Sequence, residues 1–406
     1  MKQGCVIVPA CYAMINSAAR KGTQMLKFPS EGWSVFISPV GPVGLAWTRS
    51  GVCRLVVGHP GVDEAAAELR DACPGLPEVK KLPFPLAETR DRIKGLLRGK
   101  PDDLRDIPVD LSGSSGFSRK VLRGLRRVKP GQVITYGQLA AKAGKPGAAR
   151  AVGRIMGANP VPIIVPCHRC MGADGSLTGF SAAGGTGLKA RLLFIEGYER
   201  DPEHARGIRH LQKVDPKIRR VIAKVGPYLA RPDKPRPAYD TLVRAIVHQQ
   251  LSVKAGQTIA GRVRDLTSGP NFPSPAQVLE FPPETLRACG LSHAKVGFVR
   301  DLATRVDDGR LKLNALKRLT DDEVIAELTK VKGIGIWSAH MHLIFHLDRL
   351  DVLAVGDLGL RMGAAKLYGL EEYATPAELT AIAEPWRPYR SMGAYYLWRA
   401  LDSGGI

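Results

Sequence analysis

Residues 132–157 read QVITYGQLAAKAGKPGAARAVGRIMG, and this stretch predicts two short helices joined by a tight turn. Thr135 is a suitable N-cap for a first helix that ends near Ala143. The letters GKP then predict the turn, and a second helix rich in alanine and glycine follows. Arg150 and Arg154 fall four residues apart, and therefore on one face of that helix. The pattern is typical of a helix-turn-helix, which places its second helix against DNA.

A rigid apolar segment follows directly, with the sequence NPVPIIVPCHRC over residues 159–170. Its three prolines favour an extended chain of fixed direction, so Cys167 is held in place. His168 is able to take the proton of this thiol, directly or through water, and Glu196 to orient the imidazole. A Cys/His/Glu set is a general way to generate a nucleophilic thiolate near neutral pH.

Three other interpretations of Cys167 and its neighbour Cys170 compete with the nucleophile. A zinc site needs four ligands, and the sequence holds no second C-x-x-C pair. A redox C-x-x-C normally opens a helix after a strand, whereas three prolines precede this one. A buried structural cysteine beside a surface histidine is the plainest alternative. We expect Cys170 to be a bystander, and Cys53 and Cys73 to be core thiols or surface bystanders.

The sequence over residues 109–197 resembles the O6-alkylguanine-DNA alkyltransferases through NPVP, PCHR and a downstream IEG. The resemblance implies irreversible, cofactor-free transfer of an alkyl group from the O6 of a flipped guanine to Cys167. It assigns His168 and Glu196 to activation of that cysteine and Asn159 to support beneath it. The first 26 residues, with Cys5 and Cys11, match no pattern of the family.

The same resemblance assigns three residues to the DNA. Tyr136 presses on the phosphate of the target and helps to rotate the nucleotide out. Arg150 enters the base stack in place of the guanine, and Ser181 lies on the loop that contacts the flipped base. Flipping is required because sulfur must approach the alkyl carbon in line.

The second half of the chain shows helical periodicity throughout, and residues 328–339 read LTKVKGIGIWSA. Gly333 and Gly335 predict a tight turn between two helices, whose backbone N–H groups are able to bind a phosphate. With Asp357 further on, residues 208–402 resemble the helix-hairpin-helix DNA glycosylases, and most closely the 3-methyladenine (alkylpurine) branch. The resemblance implies cleavage of the N-glycosidic bond of alkylated purines.

Asp357 is the catalytic carboxylate that this resemblance implies, because an anion stabilises oxocarbenium character on the sugar. An aspartate before LGLR is also a common helix N-cap, and Asp357 can serve both purposes. Members with lyase activity carry a lysine two residues after the second glycine, where this chain has Trp337. We therefore expect a monofunctional glycosylase.

An aromatic base pocket is expected, because electron-poor alkylated bases stack well on electron-rich rings. Trp337 and Trp398 are the main candidates, with Tyr395 and Trp386 as further ones. Gln249 and Gln250 lie in a segment (IVHQQLSV) that resembles the duplex probe of this branch. No metal is expected, since the three histidines of one helix lack acidic partners at metal spacing (His340, His342 and His346).

The composition fits a multidomain DNA-binding protein. A net charge of +21 favours nucleic acid as partner, and no apolar run approaches the ~18 residues of a membrane span. Seven cysteines, an odd number, favour a reducing cytoplasm over a disulfide framework, with nucleoid association in a prokaryote. We expect a monomer without cofactors.

We expect a multidomain fold with four segments along the chain. An α/β N-terminal domain is followed by a helix-turn-helix, winged-helix-like alkyltransferase domain, then a linker and an all-α helix-hairpin-helix glycosylase. Their bounds are 1–108, 109–200, 201–207 and 208–406.

The functional hypothesis is a repair protein with two activities on double-stranded DNA that carries alkylated bases. One alternative is an alkyltransferase-like module that binds lesions without transfer and recruits DNA to an active glycosylase. A damage-sensing regulator ranks third, because the sequence lacks a separate cysteine-rich sensor domain.

Overall fold

The computed structural model describes residues 28–230 and 236–402, so Cys5 and Cys11 lie outside the described residues. The chain divides into two compact units, the first ending at Tyr198 and the second beginning at Glu199. Within the described ranges, no helix is both long and apolar enough to cross a membrane.

The first unit begins with an antiparallel sheet in the order β1 (Gly32–Ser38), β2 (Gly41–Thr48) and β3 (Gly51–Val57). The three strands fit the expected α/β N-terminal domain, and the turns between them are only two residues long. Helix α1 (Val62–Ala72) buries three apolar side chains against the sheet.

Five further helices follow in the part of the first unit that the structure describes: α2 (Leu86–Leu96), α3 (Gly116–Leu125), α4 (Tyr136–Lys142), α5 (Ala149–Gly157) and α6 (Gly185–Ile195). Helices α4 and α5 are the two helices predicted over 132–157. Thr135 caps α4 in a reciprocal capping box with Gln138. The arrangement includes the expected helix pair, while the winged-helix likeness stays a prediction.

The segment that carries Cys167 is hydrogen-bonded both to the start of the helix pair and to the N-terminal sheet. Strands β4 (Ile134–Thr135) and β5 (Cys170–Met171) pair in parallel, which joins the start of α4 to the end of the segment. The backbone N–H of Leu55 in β3 donates to the carbonyl of Pro160 at 2.8 Å. Ile163 is buried and has a φ of 73°, a left-handed conformation that is strained for a β-branched residue. The surrounding packing therefore over-determines this segment.

The second unit is all-helical in its described residues, which confirms the predicted class. Its long helices, of eight residues or more, are α7 (Pro202–Val214), α8 (Pro216–Val225), α9 (Ala238–His248), α10 (Val253–Arg264), α13 (His293–Asp307), α14 (Asp321–Thr329), α15 (Ile336–Phe345), α16 (Leu358–Tyr368), α17 (Pro376–Ala383) and α18 (Arg390–Asp402). Two six-residue helices are α11 (Pro275–Glu280) and α12 (Pro283–Ala288).

The expectation of a linker over 201–207 is wrong, because helix α7 already begins at Pro202. Asp201 caps the helix by accepting from the N–H groups of residues 203 and 204, and proline is favoured at the first helical position. Charged residues led the sequence interpretation to a linker, although Gly207 and Ile208 are buried against the unit.

Candidate active sites

Cys167 lies in a short 3-10 turn (Cys167–Arg169) immediately after Pro166, at the end of the buried segment. Its residue exposure is only 4%. It nevertheless forms part of the wall of an open pocket of about 600 Å³. The thiol is thus shielded from bulk solvent but accessible from one concave surface.

The pocket brings together all three DNA-contacting residues that the sequence predicted in this unit. Tyr136 and Arg150 contribute from the two helices of the helix-turn-helix, and Ser181 contributes from the loop before α6. The Tyr136 hydroxyl and the Thr178 hydroxyl are hydrogen-bonded at 2.8 Å. The Arg150 side chain is exposed. The remaining lining residues are Ala149, Gly153, Met156, Gly157, Thr178, Gly179 and Phe180.

Glu196 and His168 form the predicted pair, in full burial. The imidazole Nε2 lies 2.8 Å from Glu196 Oε1. Arg169 adds two bonds to the same carboxylate, from Nε and Nη2 at 2.8 and 2.7 Å. Burial raises the pKa of Glu196, but the charge of His168 and the bonds from both neighbours outweigh it and hold the pKa at about 2. Glu196 is therefore a carboxylate across the physiological range.

The other nitrogen of His168, Nδ1, is buried without a hydrogen-bond partner in the described part of the chain. A Glu196 carboxylate that accepts from Nε2–H leaves Nδ1 as the basic nitrogen in the neutral ring. Such an arrangement suits a proton acceptor for Cys167, although none of the described hydrogen bonds joins the two side chains directly.

Asn159, which the resemblance assigned to support of the cysteine, hydrogen-bonds within the segment that carries Cys167. Its Nδ2 donates to the Val165 carbonyl at 2.8 Å, and its Oδ1 accepts from the Val161 N–H at 3.1 Å. Burial raises the pKa of the Cys167 thiol, while a side-chain hydrogen bond with Asn159 and the charge of Lys189 lower it. The protein thus offsets part of the cost of a buried thiolate.

Sequence reasoning missed Arg169 and Lys189. Lys189 is fully buried and its Nζ donates to the carbonyls of Cys170 and Leu177 at 2.5 and 2.6 Å. A lysine inside the largely apolar run LKARLLF was the available signal, because buried lysines are rare. Cys170, expected to be a bystander, is buried, and its carbonyl takes part in this anchor.

Asp357 occupies the N-cap of α16, where its Oδ1 accepts from the Leu360 N–H at 2.7 Å. Both predicted pocket tryptophans donate to the same carboxylate. Trp337 Nε1 lies 2.6 Å from Oδ2, and Trp398 Nε1 lies 2.9 Å from Oδ1. Asp357 as a residue is 9% exposed, so it is nearly buried, and three donors hold its carboxylate.

The aromatic groups around Asp357 differ in exposure. Trp337 is 50% exposed at the start of α15, whereas Trp398 is half-buried and packs against Phe345 with ring centroids 5.6 Å apart. The further candidate Trp386 is wrong for a pocket, because it is fully buried and its Nε1 donates to Asp215 at 2.9 Å. Tyr395 packs edge-on against Tyr228 at 5.0 Å.

The predicted hairpin lies between α14 and α15. Gly333 has a φ of 83°, and a Cβ there would lie 2.2 Å from the ring of Phe298, so only glycine fits. Gly335 is exposed and is the N-cap residue of α15, so the free backbone N–H groups of the first turn of α15 lie directly after it. Gln249 donates from Nε2 to the Gly333 carbonyl at 2.7 Å, which ties the probe segment to the hairpin.

Gln250 lies at the tip of the turn between α9 and α10, exposed and with a φ of 55°. Leu251 and Val253 beside it are 38% and 70% exposed. The three side chains form an outward-facing turn at the same end of the unit as the hairpin, because Gln249 bonds the two together.

Two of the histidines singled out above, His342 in α15 and His346 directly after it, lie against each other. His342 and His346 stack at 4.6 Å, and burial lowers the pKa of His342 to about 3, with a further contribution from His346. Among the described residues, one group of three side chains of the types that bind metals has its potential ligand atoms within 4.8 Å of one another. It consists of Asp201, His204 and Asp348.

Comparison with known proteins identifies both units. The family model "6-O-methylguanine DNA methyltransferase, DNA binding domain" matches residues 116–198. The model "HhH-GPD superfamily base excision DNA repair protein" matches residues 243–388. The two matches define a DNA repair protein for alkylation damage, with an alkyltransferase domain followed by an all-helical glycosylase domain.

Individual relatives place the chain more closely. It is 34% identical over 194 residues to DNA-3-methyladenine glycosylase 1 of Schizosaccharomyces pombe, covering 47% of this chain and 84% of the relative. It is 35% identical over 185 residues to the methylated-DNA–protein-cysteine methyltransferase of Mus musculus, covering 43% and 86%. The solved S. pombe 3-methyladenine DNA glycosylase with abasic DNA is similar at 31% identity and a TM-score of 0.43, covering 48% and 97%. The chain belongs to both families, one in each unit.

Proposed function

We propose that the first unit transfers an alkyl group from the O6 atom of guanine in duplex DNA to Cys167, once per protein molecule. The observation that supports this is Cys167 in the wall of a pocket, backed by the buried Glu196–His168 pair. The thiolate attacks the alkyl carbon, the S–C bond forms, and the C–O bond breaks with its electron pair moving to O6.

Each neighbouring group has a defined part in that step. His168 Nδ1 takes the thiol proton, directly or through water, and Glu196 stabilises the resulting imidazolium. Asn159 and Lys189 stabilise the thiolate in its buried position. Tyr136, Arg150 and Ser181 surround the opening through which the flipped nucleotide enters.

We propose that the second unit hydrolyses the N-glycosidic bond of N-alkylated purines, with Asp357 as the catalytic carboxylate. The supporting observation is a nearly buried carboxylate between two indole donors, beside the hairpin. As the base departs, Asp357 stabilises positive charge on the sugar and accepts a proton from the water that adds to C1′. Trp337 has no amine, so no Schiff base forms and the activity is monofunctional.

The two proposals are tested together with full-length protein and two duplexes, one carrying O6-methylguanine and one carrying N-methylated purines. Cys167→Ser should abolish methyl transfer and leave base release, whereas Asp357→Asn should do the opposite. Absence of label from wild-type Cys167, with base release intact, would instead support a lesion-binding module that recruits DNA to the glycosylase.

A further inference from the structure

We propose that the exposed edge of α10 is a second phosphate-binding surface of the glycosylase unit, which contacts the duplex backbone on the flank of the Gln250 turn. We call it the α10 edge and define it by Lys254, Thr258 and Arg262. The inference rests on the proposed glycosylase function for its ligand, duplex DNA, and adds a contact surface separate from the hairpin.

The first observation is the charge of this part of the sequence. Residues 241–264 contain no aspartate or glutamate, although they include four basic residues, namely Arg244, Lys254, Arg262 and Arg264. Acidic residues bound the stretch on either side, at Asp240 and Asp265. A solvated helix face normally carries both signs of charge, so a run of this length with one sign indicates a polyanionic ligand.

The second observation is the direction in which the charges point. Helix α10 buries Gly256, Ala260 and Val263 towards the unit. Lys254 and Arg262 are exposed and lie eight residues apart, so they share one face together with Thr258. Among the described residues, neither basic side chain forms an ion pair. Both positive charges are thus free to meet phosphates.

The third observation is the repulsion among basic residues of α9 and α10 outside this edge. Burial lowers the pKa of Arg244 on α9, and the charges of Arg236 and Arg264 lower it further. Arg264 bonds its neighbour Asp265, at 3.3 Å, in an exposed pair. Repulsion of this kind is relieved when phosphates approach, as expected for a surface built for a polyanion.

The fourth observation is position and length. Helix α10 begins directly after the exposed turn of Gln250 and Leu251, which the hairpin holds through Gln249. Lys254 and Arg262 are separated by about 12 Å along the helix axis, at 1.5 Å per residue. That span equals roughly three to four base pairs at 3.4 Å each. The edge is therefore long enough to meet more than one backbone phosphate on the flank of the Gln250 turn.

The test measures the salt dependence of the half-saturating DNA concentration for base release by the full-length protein, which reports the glycosylase unit alone. In Lys254→Gln/Arg262→Gln, loss of two phosphate contacts should lower the slope of log affinity against log salt by about 1.8. The half-saturating DNA concentration near 0.15 M salt should rise on the order of 10-fold. The charge-keeping Lys254→Arg/Arg262→Lys should retain the wild-type slope.

The matched control is Lys312→Gln/Lys366→Gln, which removes the same charge from exposed positions outside this edge. An equal loss of slope in the control, or an unchanged slope in the edge variant, would overturn the proposal. If the wild type releases no base, the proposed glycosylase function fails. The edge is then tested by acylating the lysine side chains of the full-length protein with and without duplex DNA. Duplex DNA should then protect Lys254 and leave Lys366 labelled; equal labelling of both would reject the edge.

Discussion

Asp357→Asn separates the chemical role of the Asp357 side chain from its structural one. Asparagine is as good an N-cap as aspartate, so its Oδ1 keeps the bonds from the Leu360 N–H and Trp398 Nε1. Its NH2 group, however, faces the indole N–H of Trp337, which donates to Oδ2 in the wild type. One hydrogen bond is lost, and because Trp337 is half exposed its indole can turn to water. The structural cost is about 1 kcal/mol.

The catalytic cost is larger. A carboxylate about 5 Å from a developing positive charge, at an effective dielectric constant of about 20, contributes roughly 3 kcal/mol. Removal of that interaction slows base release roughly 200-fold. Affinity for duplex DNA should stay equal or rise slightly, because a negative charge near the DNA-facing surface disappears.

The assay is single-turnover release of methylated purines by full-length protein, with DNA affinity measured in parallel by fluorescence anisotropy. Asp322→Asn, an equal change at an exposed acidic position in the first turn of α14, is the control and should release bases at the wild-type rate. Release by Asp357→Asn at more than a third of the wild-type rate would refute the catalytic assignment. A comparable loss of base release in Asp322→Asn would show that the effect is not specific to Asp357.

Three further changes test the packing around the two sites. Lys189→Met removes both hydrogen bonds that its Nζ donates to the buried carbonyls of Cys170 and Leu177, so the first unit should lose about 2 kcal/mol in denaturant unfolding. The pH profile of methyl transfer should also move to higher pH, because the charge that lowers the pKa of Cys167 is gone; an unmoved profile would contradict that role. The pKa of His342 is about 3 when folded and 6.5 when unfolded, so the unfolded state binds the extra proton and stability falls as pH drops below 6.5. That loss should reach about 2 kcal/mol at pH 5 and be absent from His342→Phe. Gly333→Ala should destabilise the second unit by about 2–4 kcal/mol in thermal melts, since its Cβ would meet the Phe298 ring, whereas Gly335→Ala, with open space around it, should change the melting temperature little.

The parts of the sites that the sequence predicts are those set by local spacing. The capped helix pair, the cysteine after NPVP and the glycine hairpin each depend on residues within about a dozen positions, where turn and capping preferences decide the structure. The pairing of His168 with Glu196 was also predictable, because a nucleophilic cysteine requires an oriented base.

The remaining contacts depend on long-range packing that no local pattern encodes. Lys189 reaches the carbonyl of Cys170, 19 residues away, and Trp398 reaches Asp357 across 41 residues. In the sequence, Trp386 looks no different from a tryptophan that lines a pocket. In the structure its side chain is fully buried in the core, and its indole N–H donates to Asp215. A single side chain's partner across the fold is decided by tertiary packing, not by its own residue type.

The most direct test of two independent activities in one chain is a simultaneous count of protein-bound methyl groups and released bases. Full-length protein is incubated with alkylated duplex DNA, and the methylated peptide is identified by mass spectrometry. We expect one methyl group on Cys167 per molecule and continued release of N-methylpurines after that site is saturated. Methyl label on another residue, or base release that stops when Cys167 is methylated, would contradict it.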